Sequence, residues 1–336
     1  MEKVRWGVIG CGGIADKRTI PGMILAQNAE CVAVMDINRQ IAENVRKKYD
    51  IMFGCSTVEE LLSRDIDAVY IATPVFCHKE QVFKAADANC HILLEKPMGL
   101  SAKEAEEMAA YCEKRGVKLG IGFMMRFHEA HRKIRECLSQ GGIGDVVSAY
   151  AKFNEMAPPE ELGWRQEKSL SAGGAMMDMG IHCIDILQYL TGIKAVEVMG
   201  MTGNQIFEYS DTEDAASAIM KMDNGALFTV EAGFNIPDMG GGKFEIYGTK
   251  GSIVANGTVS QLEVGEVVIT TVEKGEVNSA KLDYMGGNMY TKEIESFSAS
   301  VIDDLPVGVA ADDGIFNQRI VEAVYESQKL GVRIKI

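Results

Sequence analysis

Asp178, His182 and Asp185 stand at i, i+4 and i+7 in the stretch Gly173-Gly174-Ala175-Met176-Met177-Asp178-Met179-Gly180-Ile181-His182-Cys183-Ile184-Asp185. At helical spacing they share one face, while nearly every other position of the stretch is apolar. A polar stripe on such a helix faces either water or a site, and the flanking Met, Ile and Leu residues argue against water. A carboxylate one turn from a histidine orients the imidazole and raises its basicity, which suits general acid–base work by a group whose ordinary pKa is about 6.5. A second candidate is Glu95-Lys96-Pro97, directly after the apolar run His91–Leu94. A charged pair at the end of a buried strand is costly unless it is paired or used. A plain Glu95–Lys96 salt bridge is the bland alternative; position at the sheet's carboxyl edge favours a site role. A metal centre fits poorly. Asp178, His182 and Cys183 do not share a face, and His128-Glu129-Ala130-His131 lacks the HExxH spacing. No metal is expected, and His128 and His131 read as structural or surface histidines.

The N-terminus offers a second kind of site. Gly7-Val8-Ile9-Gly10-Cys11-Gly12-Gly13-Ile14-Ala15 carries G-x-G-x-x-A at Gly10, Gly12 and Ala15, between an apolar run from Val4 and a helical stretch. Gly10 permits the tight turn, Gly12 lets the backbone approach a pyrophosphate, and Ala15 allows close helix–strand packing. Together with Gly13 and Ile14 they form the start of a dinucleotide cradle at a helix N-terminus. A second apolar run, Cys31–Met35, ends in Asp36 about 25 residues past the glycines, where a carboxylate meets the ribose hydroxyls of the adenosine half. Asp36 favours NAD over NADP, although Arg39 is placed to pair a 2′-phosphate. Ala72-Thr73-Pro74-Val75-Phe76-Cys77-His78 follows another apolar strand at the carboxyl edge, where open α/β sheets bind ligands. Thr73-Pro74 gives a rigid turn able to wall a nicotinamide; His78 either joins that wall or caps and packs the following helix.

The elements that hold these residues change character once along the chain. Up to about residue 123, apolar strands (Arg5–Ile9, Val32–Met35, Ala68–Ala72, His91–Leu94, Lys118–Phe123) alternate with helical stretches, which predicts a parallel sheet covered on both faces. Pro21 is expected to break the first helix. Ser56 with Glu59 and Ser101 with Glu104 read as capping boxes. After Phe123, longer alternating strands are predicted at 146–154, 195–202, 214–222, 226–235, 243–248 and 252–255, with turns such as Asp223-Asn224-Gly225, which signals an antiparallel sheet. A helix over Gly174–Leu190 interrupts them, and helices at about 288–302 and 311–329 close the chain. The fold class is therefore α/β: an N-terminal Rossmann dinucleotide-binding domain over 1–123, then a C-terminal α+β domain over 124–336 with a large, mostly antiparallel open sheet. The loop at 156–170, with Pro158-Pro159 and Trp164-Arg165, is long enough to be functional.

Composition agrees with such a protein. The 336 residues are enough for two sizeable cores. Lys plus Arg is 34 against 48 Asp plus Glu, a net charge of −14, which argues against nucleic acid or an anionic membrane as partner. The 8 cysteines are scattered without a CxxC pair, as expected of reduced, buried thiols. Neither a signal peptide nor an apolar run long enough to span a bilayer is read in the sequence, so a cytoplasmic location is expected.

Taken together, the motifs resemble the glucose–fructose oxidoreductase / inositol dehydrogenase / MocA (Gfo/Idh/MocA) family along essentially the whole chain. The resemblance rests on Gly10-x-Gly12-x-x-Ala15, Asp36, the Ala72-Thr73-Pro74…His78 turn, Glu95-Lys96-Pro97 and Gly173-Gly174…Asp178-x-Gly180-x-His182-x-x-Asp185. It implies NAD (or NADP) as cofactor and hydride transfer to or from a secondary alcohol or ketone of a cyclic polyol, sugar or sugar derivative. It also implies Lys96, Asp178 and His182 as the catalytic trio, a cis peptide bond at Lys96-Pro97, and a homodimer or homotetramer formed through the 195–255 region. Gly163-Trp164-Arg165 resembles a substrate-loop segment, and Arg126 stands where relatives place a substrate contact. Two alternatives stay open. One is a glycoside-cleaving enzyme that works by transient oxidation with tightly held NAD. The other is a non-catalytic NAD(P)-binding regulator, which would have no need to keep Lys96, Asp178 and His182.

Overall fold

Short, mostly buried runs of largely apolar residues form the strands of the first sheet. The computed structural model describes residues 2–206, 208, 211–237 and 241–336. Its first unit contains β1 (Val4–Ile9), β2 (Ala29–Met35), β3 (Phe53–Cys55), β4 (Ala68–Ile71), β5 (His91–Glu95) and β6 (Leu119–Gly122). All pair in parallel, in the order β3-β2-β1-β4-β5-β6. This is the doubly wound order, whose switch point lies between β1 and β4. Pro21 sits at the start of the helix Ile20–Leu25, and the break ahead of it is one wide helical turn over Ala15–Thr19. Ser101 accepts from the Glu104 amide at 3.2 Å while the Glu104 carboxylate accepts from the Leu100 amide. The other predicted cap is displaced by one residue. Thr57 accepts from the Glu60 amide at 3.1 Å, and the Glu60 carboxylate accepts from the Ser56 amide. Thr57 is the residue with extended backbone there, so its hydroxyl reaches the free N–H.

The chain divides as Met1–Met124 with Asn288–Ile315, and Met125–Gly287 with Phe316–Ile336. The sequence reading gives everything after residue 123 to one domain; in the structure the helix Met289–Ile302 belongs with the first sheet. Its Phe297 ring lies 5.3 Å from the buried Trp6 ring, and Trp6 Nε1 donates to Ser298 at 3.1 Å. An apolar face at 288–302 does not say which sheet it covers, so this assignment was not visible in periodicity.

The second unit contains β7 (Val146–Asn154), β8 (Ala195–Gly203), β9 (Ala215–Met222), β10 (Leu227–Gly233), β11 (Gly242–Gly248), β12 (Gly251–Val259), β13 (Glu266–Glu273), β14 (Glu276–Lys281) and β15 (Ile334–Lys335). They form one sheet in the order β14-β13-β12-β11-β7-β10-β9-β8-β15, antiparallel except for the parallel pair β7–β10. The hairpin β13–β14 is beyond the predicted strands because β14 is exposed at every position and shows no alternation. One face buries Ala149, Ala151, Phe153, Phe228, Val230, Ala232, Phe244 and Ile246. The helix Ile181–Thr191, buried at nearly every position, packs here. The other face carries Met199, Met201, Ile219, Leu227 and Tyr247 exposed, interleaved with Lys152, Glu231, Lys243 and Glu245.

Candidate active site

In the first unit the cofactor-type residues gather at the carboxyl ends of β1, β2, β4 and β5. Gly10 has φ +83°, and a Cβ there would lie 2.8 Å from Thr73 Cγ2, so only glycine lets the turn pass the end of β4. The Gly10 and Cys11 amides donate to Met35 O at 2.9 and 3.0 Å, which ties the turn to β2. Beside Gly13, at φ +49°, the space is open, and a Cβ on Gly12 would meet only Asp36 Oδ2 at 3.7 Å and Ile41 at 3.9 Å. The loop is therefore a bare backbone cradle with a carboxylate across it, and these residues fit a dinucleotide. Ile14 is half-buried at its exit. Asp36 Oδ1 accepts from the Asn38 amide at 2.9 Å. Arg39 is exposed at the start of the next helix.

His78 is fully buried, with Nδ1 3.1 Å from Met98 O and Nε2 2.9 Å from Thr73 O. It joins the Thr73-Pro74 turn to the segment after Pro97, so the packing role is the one the structure gives it. Burial holds its pKa below the ordinary imidazole value. Thr73 Oγ1 donates to Gln81 at 2.6 Å, which fixes the turn from its other side. Glu95 and Lys96 are half-buried at the end of β5, and the Lys96–Pro97 bond is cis. The Lys96 amide donates to Glu95 Oε2 at 3.3 Å.

In the second unit the stretch from Met176 is not one uniform helix. Met176–Gly180 forms a wide turn that runs into the regular helix Ile181–Thr191. Such wide turns often occur at functional sites. Asp178 is half-buried among wholly buried neighbours, with its side chain 23% exposed. His182 is buried, its ring edge-on to Phe153 at 6.0 Å. The loop residue Arg165 comes to Asp178, Nε to Oδ2 3.3 Å, and its guanidinium lies 4.6 Å above the Trp164 ring. The loop pair Trp164-Arg165 and the helical Asp178, chosen from separate parts of the sequence, are thus brought together.

Asp185 serves a different partner. It is buried and accepts from Arg126 Nε at 2.9 Å and Nη2 at 2.5 Å. Asn317 Nδ2 donates to the same carboxylate at 2.7 Å, and Gln188 donates to Asn317 at 2.9 Å. Arg126, itself only 9% exposed at its side chain, is committed to this network. Sequence reasoning missed Glu213. Its carboxylate accepts from the Gly174 and Met176 amides at 3.0 and 2.9 Å and from the Tyr325 hydroxyl at 2.9 Å. It thereby closes the free N-terminal donors of the helical segment that carries Asp178. Burial raises its pKa, with the amide donors pulling the other way. No local pattern links Glu213 to residues this far away in the chain. His128 and His131 are stacked at 4.4 Å and bond backbone carbonyls at Val264 and Met125. All the cysteines are free. Among the described residues no cluster suited to a metal ion occurs, and no helix is long and apolar enough to cross a membrane.

A doubly wound parallel sheet with a glycine turn after β1 and a carboxylate after β2 is the architecture of a Rossmann dinucleotide-binding unit. Comparison with known proteins makes this specific. Residues 4–123 match the model of the oxidoreductase family with an NAD-binding Rossmann fold, and residues 131–254 match the GFO/IDH/MocA C-terminal domain. The chain is 33% identical over 256 residues to trans-1,2-dihydrobenzene-1,2-diol dehydrogenase of Mus musculus, covering 74% of this chain and 73% of that one. It is 28% identical over 333 residues to 1,5-anhydro-D-fructose reductase of Ensifer adhaerens, covering 99% and 98%. Its fold superposes on aldose-aldose oxidoreductase from Caulobacter crescentus complexed with glycerol with a TM-score of 0.91 at 22% identity, over 100% of both chains. The chain belongs to the Gfo/Idh/MocA family of oxidoreductases.

Proposed function

We propose that this enzyme interconverts a secondary alcohol and its ketone on a cyclic polyol, sugar or sugar derivative, with Lys96, Asp178 and His182 as its acid–base set. The observation that carries this reading is the pairing of Arg165 with Asp178 beside the buried His182. It brings a loop guanidinium and an aromatic ring to the helix that holds the acid–base candidates. Trp164 and Arg165 offer a stacking face and donors of the kind that hold a polyhydroxylated ring. The curated relative from Ensifer adhaerens, named for an anhydro-ketose, supports the substrate class.

NAD(P), when bound, supplies the hydride acceptor or donor; the chain supplies position and proton transfer. Gly10, Gly12, Gly13 and Ile14 hold the phosphates, Asp36 with Arg39 the adenosine ribose, and Thr73, Pro74, Glu95 and Lys96 the nicotinamide end. His78 supports that end from beneath. His182 removes the hydroxyl proton in oxidation and returns it to the ketone oxygen in reduction. Asp178 orients the imidazole and favours its protonated form. The Lys96 ammonium stabilises negative charge on the substrate oxygen. Arg126 acts by holding Asp185, and through it the helix, rather than by reaching the substrate. Asp36 makes NAD the preferred cofactor, since a 2′-phosphate would meet a carboxylate. The free cysteines fit a reducing, cytoplasmic compartment. The exposed Met199, Met201, Ile219 and Leu227 fit a homo-oligomer built on the open sheet face.

The test is a screen of inositols, hexoses, anhydrosugars and glycosides with NAD and NADP, followed by nicotinamide absorbance. Stoichiometric NADH formation from one polyol or sugar supports the reading. Product formation without net NADH would move it to redox-neutral glycoside cleavage, and binding without turnover of any candidate would move it to a regulator.

A further inference from the structure

One short segment of the second unit holds both halves of the Arg165–Asp178 pair. Asp211-Thr212-Glu213 lies just ahead of β9. Toward the loop, the Thr212 hydroxyl donates to Arg165 O at 3.1 Å and the Asp211 amide to Gln166 O at 3.2 Å. Asp211 Oδ1 accepts from the Lys168 amide at 2.5 Å. Toward the helix, Glu213 caps three successive amides. Its carboxylate accepts from Gly174 and Met176, and its backbone carbonyl accepts from Ala175 at 3.0 Å. The Asp178 amide donates to Gly174 O at 3.0 Å, so Gly174 links Glu213 to Asp178 directly.

The Gly173-Gly174 pair, which the mechanism above leaves without a role, makes this approach possible. A Cβ on Gly173 would lie 2.7 Å from Tyr325 Cζ, and one on Gly174 would lie 2.7 Å from the Glu213 amide nitrogen. Neither position has room for a side chain. Tyr325 is the third donor to the Glu213 carboxylate. Thr212 and Glu213 are buried, so water does not readily replace these partners. Both structures they hold need outside support. The loop is built of one-turn pieces, Pro159–Leu162, Gly163–Gln166 and Lys168–Ser171, which make few bonds of their own. The first amides of a helical segment have no partner within it, and a carboxylate there also meets the positive end of the peptide dipoles.

We propose that Asp211-Thr212-Glu213 is a positioning segment that sets the Arg165 loop against the Asp178 turn, with Thr212 governing the loop and Glu213 the turn. The proposal rests on the reading of Arg165 as a substrate group and of Asp178 with His182 as acid–base groups. The two connections can be cut one at a time. Thr212→Val removes the hydroxyl and keeps the shape. With the substrate found by the screen, it should raise KM about three- to tenfold, as loss of one hydrogen bond gives, with kcat within about twofold of wild type. Thr212→Ser restores the hydroxyl and should restore KM. Glu213→Gln replaces one accepting oxygen by a donor, so the Gly174 or the Met176 amide loses its acceptor. It should lower kcat about tenfold and leave NAD affinity within about twofold. The pH profile for oxidation should move to lower pH, because a displaced Asp178 no longer favours the imidazolium of His182. Hydrogen–deuterium exchange needs no substrate: the amides over 174–176 should exchange at least about tenfold faster in Glu213→Gln, as loss of a buried acceptor allows. Unchanged exchange there, or wild-type kcat and pH profile in Glu213→Gln, overturns the role of Glu213. A wild-type KM in Thr212→Val, or a raised KM that Thr212→Ser does not restore, overturns the role of Thr212. Should Glu213→Gln fail to fold, slow exchange of those amides in wild type and the Thr212 pair decide the matter. If Asp178→Asn and His182→Ala keep wild-type kcat while the exchange result holds, it is the acid–base reading that fails, and the hold of Glu213 on the turn stands.

Discussion

Replacing Arg126 by methionine removes a guanidinium from a buried carboxylate and keeps most of the side-chain volume. Asp185 then retains Asn317 as a donor and loses contacts of 2.9 and 2.5 Å to a full positive charge. Charges this close attract by about 5 kcal/mol at an effective dielectric constant of about 20. The expected net cost is smaller than such a figure because the desolvation of the Arg126 guanidinium is no longer incurred on folding. Breaking one side of a buried pair typically costs about 3–5 kcal/mol. The Arg126 guanidinium also lies 5.1 Å from the Tyr189 ring, a contact that contributes about 0.5–2 kcal/mol and is lost with it. At about 2–4 °C per kcal/mol for a unit of this size, the thermal midpoint should fall by about 10 °C. Thermal and urea unfolding of the cofactor-free protein, read by fluorescence, gives the number. The double variant Arg126→Met with Asp185→Leu should recover at least half of the loss, because no charge is left stranded. A single variant that loses less than about 1 kcal/mol would refute the argument, because a loss that small is what surface ion pairs give. If Arg126 holds substrate instead, KM would rise with stability intact.

Other expectations follow from the same structure. Asp36→Ser should shift the kcat/KM ratio toward NADP; wild-type enzyme that already favours NADP would overturn the role given to Asp36. Burial, then the neighbouring His128, lowers the His131 pKa from about 6.5 to about 3. A histidine depressed in the folded state binds its proton more readily when unfolded, so its contribution is complete above pH ~6.5 and is lost as pH falls toward ~3. The urea midpoint should therefore drop over that window, and His131→Phe should flatten the slope; an unchanged slope would count against it. Light scattering at micromolar concentration should give a dimer or tetramer, and Met201→Asp with Ile219→Asp should yield monomer; a monomeric wild type would refute the proposed interface.

The parts of this protein that local chemistry dictates were legible in its sequence. The glycine turn, Asp36 and the apolar strands predict the parallel sheet, and the switch point places Thr73 and Lys96 at its carboxyl edge. The spacing of Asp178 and His182 finds the helical stretch, though not the wide turn over Met176–Gly180, because bond pattern within a helix leaves no mark on polarity. What the sequence hid depends on distant partners. Asp185 lies on the same stripe as Asp178, yet it turns to Arg126 and Asn317. Glu213 and Asn317 look like ordinary polar residues until folding brings them to Gly174 and Asp185. The helix at 288–302 shows its own apolar face but not Trp6, which that face covers.

The central claim is that His182 moves the proton in the redox step. His182→Ala, assayed with the substrate and cofactor that wild type uses best, with NAD affinity followed by calorimetry, tests it most directly. A general acid–base group typically contributes about 10²–10⁴-fold, so kcat should fall by that order while NAD affinity stays nearly constant. If kcat remains within about threefold of wild type and the pH profile is intact, His182 is not the base and the acid–base assignment fails.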